Sequence, residues 1–91
     1  MSEAGLVRER VRGRLERAFD GSIDVRDLTG TDDHFEVRVV SAAFEGKTLV
    51  ERHKMVYAPL LDWIEDDTVH ALSVRAYTPA QLESLTKESE P

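Results

Sequence analysis

Histidine is the residue of this sequence best suited to chemistry, because a neutral imidazole binds borderline metals and exchanges protons near neutral pH. The chain has three histidines, His34, His53 and His70, and no cysteine. Disulfides, cysteine nucleophiles and thiolate metal ligands are therefore excluded for this chain. A metal bound here must take nitrogen or oxygen ligands, or receive its sulfur ligands from a partner.

The three histidines differ in their predicted surroundings. His70 is in phase with the apolar residues of a predicted strand, which places it on the inward side at the start of that strand. His53 falls within the apolar stripe of a predicted helix, and His34 begins another predicted strand. From these positions alone, a structural role is favoured for His70 and His53. For His34, a ligand and a solvated strand end are equally good interpretations.

Size and charge exclude several classes of protein. The 91 residues suffice for one domain with a modest core, and 41% hydrophobic with 33% charged residues is typical of a globular protein. No apolar run approaches the roughly 20 residues of a membrane span. Residues 1–4 lack the start of a signal peptide, so a cytoplasmic location is expected. A net charge of −6 disfavours generic binding to nucleic-acid phosphates.

Hydrophobic periodicity predicts an α+β fold. The predicted elements, in order, are a helix over 3–19, strands over 22–28 and 34–40, a helical turn over 41–44, a long helix over 48–64, a strand over 68–77 and a helix over 80–85. Residues 1–86 form one predicted domain, followed by a disordered polar tail over 87–91. We expect a three-stranded mixed sheet with helices on one face, in which the long helix is the crossover of a parallel pair. The spacing leaves open which strand is central.

The two long helices are predicted from their apolar stripes. In the first helix, the stripe comprises Ala4, Val7, Val11, Leu15 and Ala18. In the second helix, it comprises Leu49, His53, Val56, Leu60 and Ile64. Pro59 should kink the second helix, because a proline inside a helix removes a backbone donor and crowds the preceding turn.

Three motifs resemble the signature of the BolA family. They are Phe44-Glu-Gly-Lys47, Val50-Glu-Arg-His-Lys-Met-Val-Tyr57 and Val69-His-Ala-Leu72. The resemblance covers nearly the whole chain and is greatest to members with a short loop between the first two strands. It implies a fold like that of the second class of KH domain. The Gly-x-x-Gly clamp of nucleic-acid-binding KH domains is absent from the corresponding place in this sequence.

The resemblance also implies a function. In the family, a histidine at the position of His70 helps to bind a [2Fe–2S] cluster that is shared with a monothiol glutaredoxin and glutathione. Many members supply a second ligand from an extended loop that is short here, so His34 is the candidate for that role, and Asp32 or Asp33 could substitute. The implied function is that of an accessory protein in cluster trafficking, or in iron, redox or stress regulation. The isolated chain is expected to bind no cluster.

The same resemblance suggests where a partner docks. The expected glutaredoxin surface comprises the rim around His70 and the turn that enters the long helix, with Gly46, Lys47, Arg52 and His53. The isolated chain is expected to be a monomer or a weak homodimer.

Two other functions compete with cluster binding. Some family members regulate transcription, and Lys47, Arg52 and Lys54 could contact phosphates near the start of the long helix. The net charge of −6 and the missing glycine clamp count against this alternative. An enzyme is disfavoured, because nothing in the sequence fixes an acidic pair such as Asp66 and Asp67 in a cleft.

Overall fold

The computed structural model describes residues 5–89, with the backbone alone over 86–89. Its elements, in chain order, are helix α1 (Leu6–Ala18), strands β1 (Ser22–Asp27) and β2 (His34–Val40), a 3₁₀ turn (Ala42–Phe44), helix α2 (Leu49–Tyr57), a second 3₁₀ turn (Ala58–Leu60), helix α3 (Leu61–Glu65), strand β3 (Ala71–Tyr77) and helix α4 (Pro79–Ser89). No helix within 5–89 is long and apolar enough to reach across a bilayer.

The three strands form one sheet in the order β1-β2-β3. β1 pairs with β2 in the antiparallel sense, across the short loop between them. β3 pairs with β2 in the parallel sense, after a crossover that contains α2 and α3. The predicted α+β fold with a mixed three-stranded sheet is confirmed. The structure also identifies the central strand, which is β2.

Alternating side chains give the sheet one apolar face and one polar face. On the apolar face, Val37 of β2 lies between Val25 of β1 and Val74 of β3. On the polar face, Arg75 forms an ion pair with Glu36, with 3.0 Å between Nε and Oε1. Helix α1 contacts β1 and helix α2 contacts β3. Their buried side chains join the sheet in one core that comprises Val11, Leu15, Phe19, Ile23, Val25, Phe35, Val37, Val39, Phe44, Val56, Leu60, Val69 and Ala76.

Helix α1 ends at Ala18, one residue before its predicted end. The predicted start at residue 3 and the stripe residue Ala4 lie outside the described residues. Val11 and Leu15 are buried as predicted, but Ala18 is exposed. The next buried position belongs to Phe19, where the chain has already left the helix in an extended conformation.

The predicted long helix is divided into α2, a 3₁₀ turn that contains Pro59, and α3. This division confirms the kink predicted from the proline. Arg14 of α1 holds the divided region in place by donating hydrogen bonds to the Pro59 carbonyl (3.1 Å) and to the Asp62 carboxylate (2.6 Å). Its guanidinium also lies 3.4 Å from the centroid of the Trp63 ring, in a cation–π contact.

The predicted apolar stripe of α2 is wrong at its first two positions. Leu49 is 68% exposed and His53 is only half-buried, whereas Arg52 is 8% exposed and Val56 is fully buried. The inward face therefore runs through Arg52, Val56 and Leu60. Arg52 can occupy the first inward position because its guanidinium donates hydrogen bonds to acceptors of its own chain.

Strand β3 begins later than predicted, because residues 66–70 form a turn and an approach to the strand. Asp67 has a φ of 66° in this turn, and Val69 is buried. The predicted inward orientation of His70 is wrong: His70 precedes the strand, and its side chain is 53% exposed.

Helix α4 extends further than predicted. The Thr78 hydroxyl accepts a hydrogen bond from the Gln81 N–H (3.2 Å), which caps the start of the helix. The helix continues to Ser89, past the predicted end at residue 85. The predicted tail over 87–91 thus lies partly in this helix and partly outside the described residues.

Candidate functional site

His34 and His70 lie side by side at one edge of the sheet. His34 is the first residue of β2, and the parallel register pairs it with Ala71, the first residue of β3. His70 directly precedes that strand, so the two strand starts bring the imidazoles together. Their ring centroids are 5.7 Å apart, and the ring planes differ by only 14°. His34 and His70 are called the histidine pair below.

Asp33 joins the histidine pair through one carboxylate. Its Oδ1 lies 2.7 Å from Nδ1 of His34, and its Oδ2 lies 3.4 Å from Nδ1 of His70. The backbone carbonyl of Asp33 also accepts hydrogen bonds from the N–H groups of His70 (2.7 Å) and Ala71 (3.3 Å). Main chain and side chain of one residue therefore hold both histidines.

The charge of Asp33 determines which nitrogen of His34 carries the proton. A hydrogen bond from Thr31 first, and then one from His34, hold the pKa of the Asp33 carboxyl below its ordinary value, so the group is ionised at neutral pH. An ionised carboxylate only accepts hydrogen bonds, so a neutral His34 must donate from Nδ1. The lone pair of His34 is then on Nε2, at the ring edge away from Asp33.

The loop between β1 and β2 is built from local carboxylate contacts. The Asp27 carboxylate accepts hydrogen bonds from the N–H groups of Thr29 (3.3 Å), Gly30 (2.9 Å) and Asp32 (3.0 Å). The Asp32 carboxylate in turn caps α1, because it accepts hydrogen bonds from the N–H groups of Val7 (2.9 Å) and Arg8 (3.0 Å). The short loop before Asp33 is thus anchored to its own start and to α1.

The histidine pair is open to solvent. The side chains of His70 and His34 are 53% and 38% exposed, and that of Asp33 is 28% exposed. A partner can therefore reach both rings. Among residues 5–89, no group of three or more histidine, cysteine, aspartate or glutamate side chains is arranged to hold a metal ion. The histidine pair is a two-nitrogen donor set.

Arg52 lies elsewhere and has a structural environment. Its Nε donates to the Lys47 carbonyl (3.0 Å), and its Nη1 donates to the Ala76 carbonyl (3.3 Å) and to Oε1 of Gln81 (2.6 Å). These bonds connect the start of α2 to β3 and α4. With 8% of the residue exposed, the guanidinium has little surface left for a partner protein or a phosphate.

The structure does not bring the other predicted docking residues to the histidine pair. Helix α2 runs antiparallel to β3, because Arg52 contacts Ala76 near the end of the strand while the Tyr57 hydroxyl bonds to the Leu72 carbonyl (3.2 Å) near its start. The exposed Gly46 and Lys47 precede α2 and therefore lie near the far end of β3. At about 3.3 Å per residue, that strand is roughly 20 Å long.

His53 and Lys54 complete the set of predicted site residues. His53 is half-buried on α2, and no hydrogen bond or ion pair of its ring is found within the described part of the chain. No hydrogen bond within the described residues thus supports the structural role predicted for His53. Lys54 is exposed on the same helix.

The sequence predicts both histidines as candidate ligands but does not predict that Asp33 contacts both of them. The residue was considered only as a substitute ligand. Its position directly before the first histidine, at the end of a loop rich in Asp and Thr, is the signal that could have indicated a carboxylate partner for the ring.

A family model described as "BolA-like protein" matches residues 16–81. The chain belongs to the BolA family. This confirms the membership that the sequence motifs predict. The DNA-binding transcriptional regulator BolA of Escherichia coli (strain K12) is 34% identical over 88 residues, which cover 88% of this chain and 83% of that protein.

Other BolA relatives match over smaller shares of their length. The acid stress protein IbaG of the same strain is 41% identical over 54 residues, which cover 59% of this chain and 64% of that protein. The SufE-like protein 1 of Arabidopsis thaliana is 38% identical over 89 residues, which cover 80% of this chain but only 24% of that protein. The chain thus spans less than two thirds of the length of these two relatives.

Solved BolA structures share the fold. The solution structure of BolA1 from Mus musculus superposes with a TM-score of 0.77 at 34% identity, over 91% of this chain and 73% of that chain. The BolA domain of SufE1 from Arabidopsis thaliana superposes with a TM-score of 0.73 at 39% identity, over 80% of this chain and 92% of that domain. The likeness to class II KH domains stays a prediction.

Proposed function

We propose that this BolA protein docks a monothiol glutaredoxin in the cytoplasm and contributes His70 and His34 to a [2Fe–2S] cluster held between the two proteins. The remaining ligands come from the glutaredoxin cysteine and from glutathione. The cluster is cargo that passes through this site, in trafficking of iron–sulfur clusters or in iron and redox regulation.

The observation that carries this proposal is the geometry of the histidine pair. The two rings are nearly parallel, 5.7 Å apart, exposed, and held from the Nδ1 side by one carboxylate. Metal-binding histidines commonly have their second nitrogen held by a carboxylate or a carbonyl, which raises the basicity of the ligating nitrogen. An arrangement of this kind is well suited to ligation through Nε2.

The donor set fits a shared cluster. A [2Fe–2S] cluster takes four terminal ligands, and combinations of two histidines with two thiolates occur in nature. This chain has no cysteine, so the thiolates must come from outside it. Imidazole is neutral where thiolate is anionic, so this ligand set raises the reduction potential of the cluster relative to four thiolates.

The proposed docking surface is centred on the histidine pair. Leu28 lies beside it, because the Leu28 N–H donates to the His34 carbonyl (2.8 Å), and the residue is 51% exposed. Burial of this exposed apolar side chain by a docked partner would stabilise the complex. The turn with Gly46 and Lys47 lies at the outer margin of a standard interface, which buries about 800 Å² on each partner.

The experiment that tests this function is a titration of cluster-loaded monothiol glutaredoxin with the protein, followed by visible circular dichroism in the presence of glutathione. We expect a new spectrum that saturates near an equimolar ratio, since the iron ligands change when imidazoles join the site. Cluster-free glutaredoxin provides the baseline. A spectrum that stays that of glutaredoxin alone at excess protein would contradict the proposal.

A second candidate function is DNA binding. One observation favours it: the 34% identical relative from Escherichia coli is named a DNA-binding transcriptional regulator. Of the three cations predicted to contact phosphates, Lys47 and Lys54 are exposed, while Arg52 is buried in bonds to its own chain. Fluorescence anisotropy with DNA duplexes over a salt series tests this candidate. A regulator must keep discriminating between sequences as salt rises, and must lose affinity when both lysines are reversed in charge.

A further inference from the structure

Asp33 contacts both residues of the histidine pair, through its side chain and through its backbone. Both of its carboxylate oxygens face an Nδ1 atom, and its carbonyl accepts the backbone N–H of His70. Thr31 donates a third side-chain contact, a short hydrogen bond to Oδ1. The carboxylate is thus occupied by the rings and by its own loop.

The carboxylate of the neighbouring residue, Asp32, also accepts hydrogen bonds. Both oxygens of Asp32 accept backbone N–H groups at the start of α1, with distances of 2.9 and 3.0 Å. Asp32 is therefore engaged by α1, and Asp33 is engaged by His34 and Thr31. The role of either residue as a substitute ligand stays a prediction.

We propose that Asp33 is a positioning residue, one carboxylate that fixes both imidazoles with the proton on Nδ1 and with Nε2 presented to the partner. This inference rests on the proposed function, in which Nε2 of each ring is the iron ligand. The short loop then contributes an orienting group behind the ligands, where longer loops contribute a ligand.

The physical reason lies in the chemistry of the two ring nitrogens. A neutral imidazole carries one proton, and the nitrogen without it is the donor to a metal. A carboxylate that accepts at Nδ1 leaves the lone pair on Nε2 and limits rotation of the ring. Asp33 accepts a hydrogen bond from Nδ1 of His34 at 2.7 Å, whereas its Oδ2 lies 3.4 Å from Nδ1 of His70, where the attraction is electrostatic. His34 should be the more strongly held of the two.

The loop gives Asp33 the rigidity that positioning requires. The preceding residue caps α1, the following residue begins β2, and the Asp27 carboxylate ties the middle of the loop to its start. Because Asp33 is fixed to three elements, it loses little conformational freedom when a partner protein binds.

The first experiment uses the cluster-free protein and long-range proton–nitrogen NMR at a pH where the imidazoles are neutral. In the wild type, His34 and His70 should carry their proton on Nδ1. In Asp33→Asn, which keeps the side-chain volume, the Nδ1–H population should fall several-fold in both rings. His53, whose ring has no hydrogen-bond or ion-pair partner among the described side chains, is the internal reference and should not change.

The second experiment measures cluster uptake from glutaredoxin by the same variant. Loss of an orienting carboxylate commonly weakens metal binding by about 10–100-fold, and we expect a loss in that range. Asp67→Asn is the matched control, since Asp67 is exposed, contacts neither ring and has a positive φ that asparagine tolerates. Pulsed electron paramagnetic resonance of the reduced complex should also show altered coupling to imidazole nitrogen.

The two experiments distinguish a failure of the role inferred for Asp33 from a failure of the proposed function on which that role rests. If the wild type takes up no cluster, the proposed function fails, and the tautomers still show whether Asp33 orients the rings. If the wild type takes up cluster and Asp33→Asn matches it in tautomer and in uptake, the inference is overturned. If the variant does not fold, the wild-type tautomers decide: protons on Nε2 would refute the assignment.

Discussion

At the scale of single residues, His34 and His70 owe their proximity to the parallel register of β2 and β3. The sequence predicts both residues as candidates, because residue type and motif are local information. It does not predict that one carboxylate contacts both rings, since the contact with His70 depends on a strand pairing across a long crossover. The orientation of His70 is not predicted either. Its alternation with the apolar residues of β3 suggests that it is buried, but the strand begins only after it.

Arg52 is the residue for which local reasoning was least informative. A charged residue in a basic stretch is usually solvated. This one is buried because three acceptors from separate parts of the chain converge on it. Its role is therefore to hold α2 against β3 and α4.

Arg52→Ala should lower the free energy of unfolding by about 2–3 kcal/mol, because it leaves buried acceptors without a donor. The exposed neighbour Lys54 provides the control, and Lys54→Ala should change stability by less than about 0.5 kcal/mol. Urea unfolding of both variants measures the difference. Equal stabilities for the two variants would show that the guanidinium contacts are not stabilising.

At the scale of elements, the sequence predicts helix and strand types well and their inward faces less well. Pro59 predicts the division of the long helix, because a proline disrupts the helical hydrogen bonds at its own position. The inward face of α2 depends on how that helix lies on β3, and this placement exposes Leu49. The α2 start is nevertheless well specified, by a capping box between Thr48 and Glu51.

Thr48→Ala should destabilise the protein by about 1 kcal/mol, since it removes the hydroxyl that accepts the Glu51 N–H at 3.2 Å. Thr48→Ser keeps that acceptor and should stay close to the wild type. Thermal unfolding of the two variants makes the comparison. A serine variant as unstable as the alanine variant would show that the cap is not the stabilising feature.

The other half of the capping box predicts a pH dependence. Hydrogen bonds from the Thr48 backbone first, and from its side chain second, lower the pKa of Glu51. A carboxyl with a lowered folded pKa stabilises the fold above the unfolded pKa, and this contribution is lost as the pH falls through the folded pKa. The stability difference between wild type and Glu51→Gln, measured by urea unfolding, should therefore be largest near neutral pH and shrink in acid. A difference that grows in acid would have the wrong sign.

At the scale of the whole molecule, the family is predictable because its motifs span most of the chain, and the match over 16–81 confirms it. The spatial relation between separate motifs is not predictable in this way. Gly46 and Lys47 are predicted to share a docking surface with His70, but they lie near the opposite end of β3, because α2 is antiparallel to that strand.

Leu28→Ser should weaken binding to cluster-loaded glutaredoxin by about tenfold if the histidine pair is the centre of the interface. Leu49→Ser is the matched control, because Leu49 is also exposed but lies at the start of α2, far from the histidines. Isothermal titration calorimetry compares the two. A larger loss for the Leu49 variant would move the centre of the docking surface to the α2 start.

The most direct test of cluster sharing is the visible circular dichroism of cluster-loaded glutaredoxin mixed with wild type, His70→Ala or His53→Ala. We expect the same new spectrum for wild type and His53→Ala, because the half-buried ring on α2 is not a proposed ligand. We expect no such spectrum for His70→Ala, which lacks one imidazole of the histidine pair. A spectrum for His70→Ala identical to that of the wild type would show that His70 is not a cluster ligand.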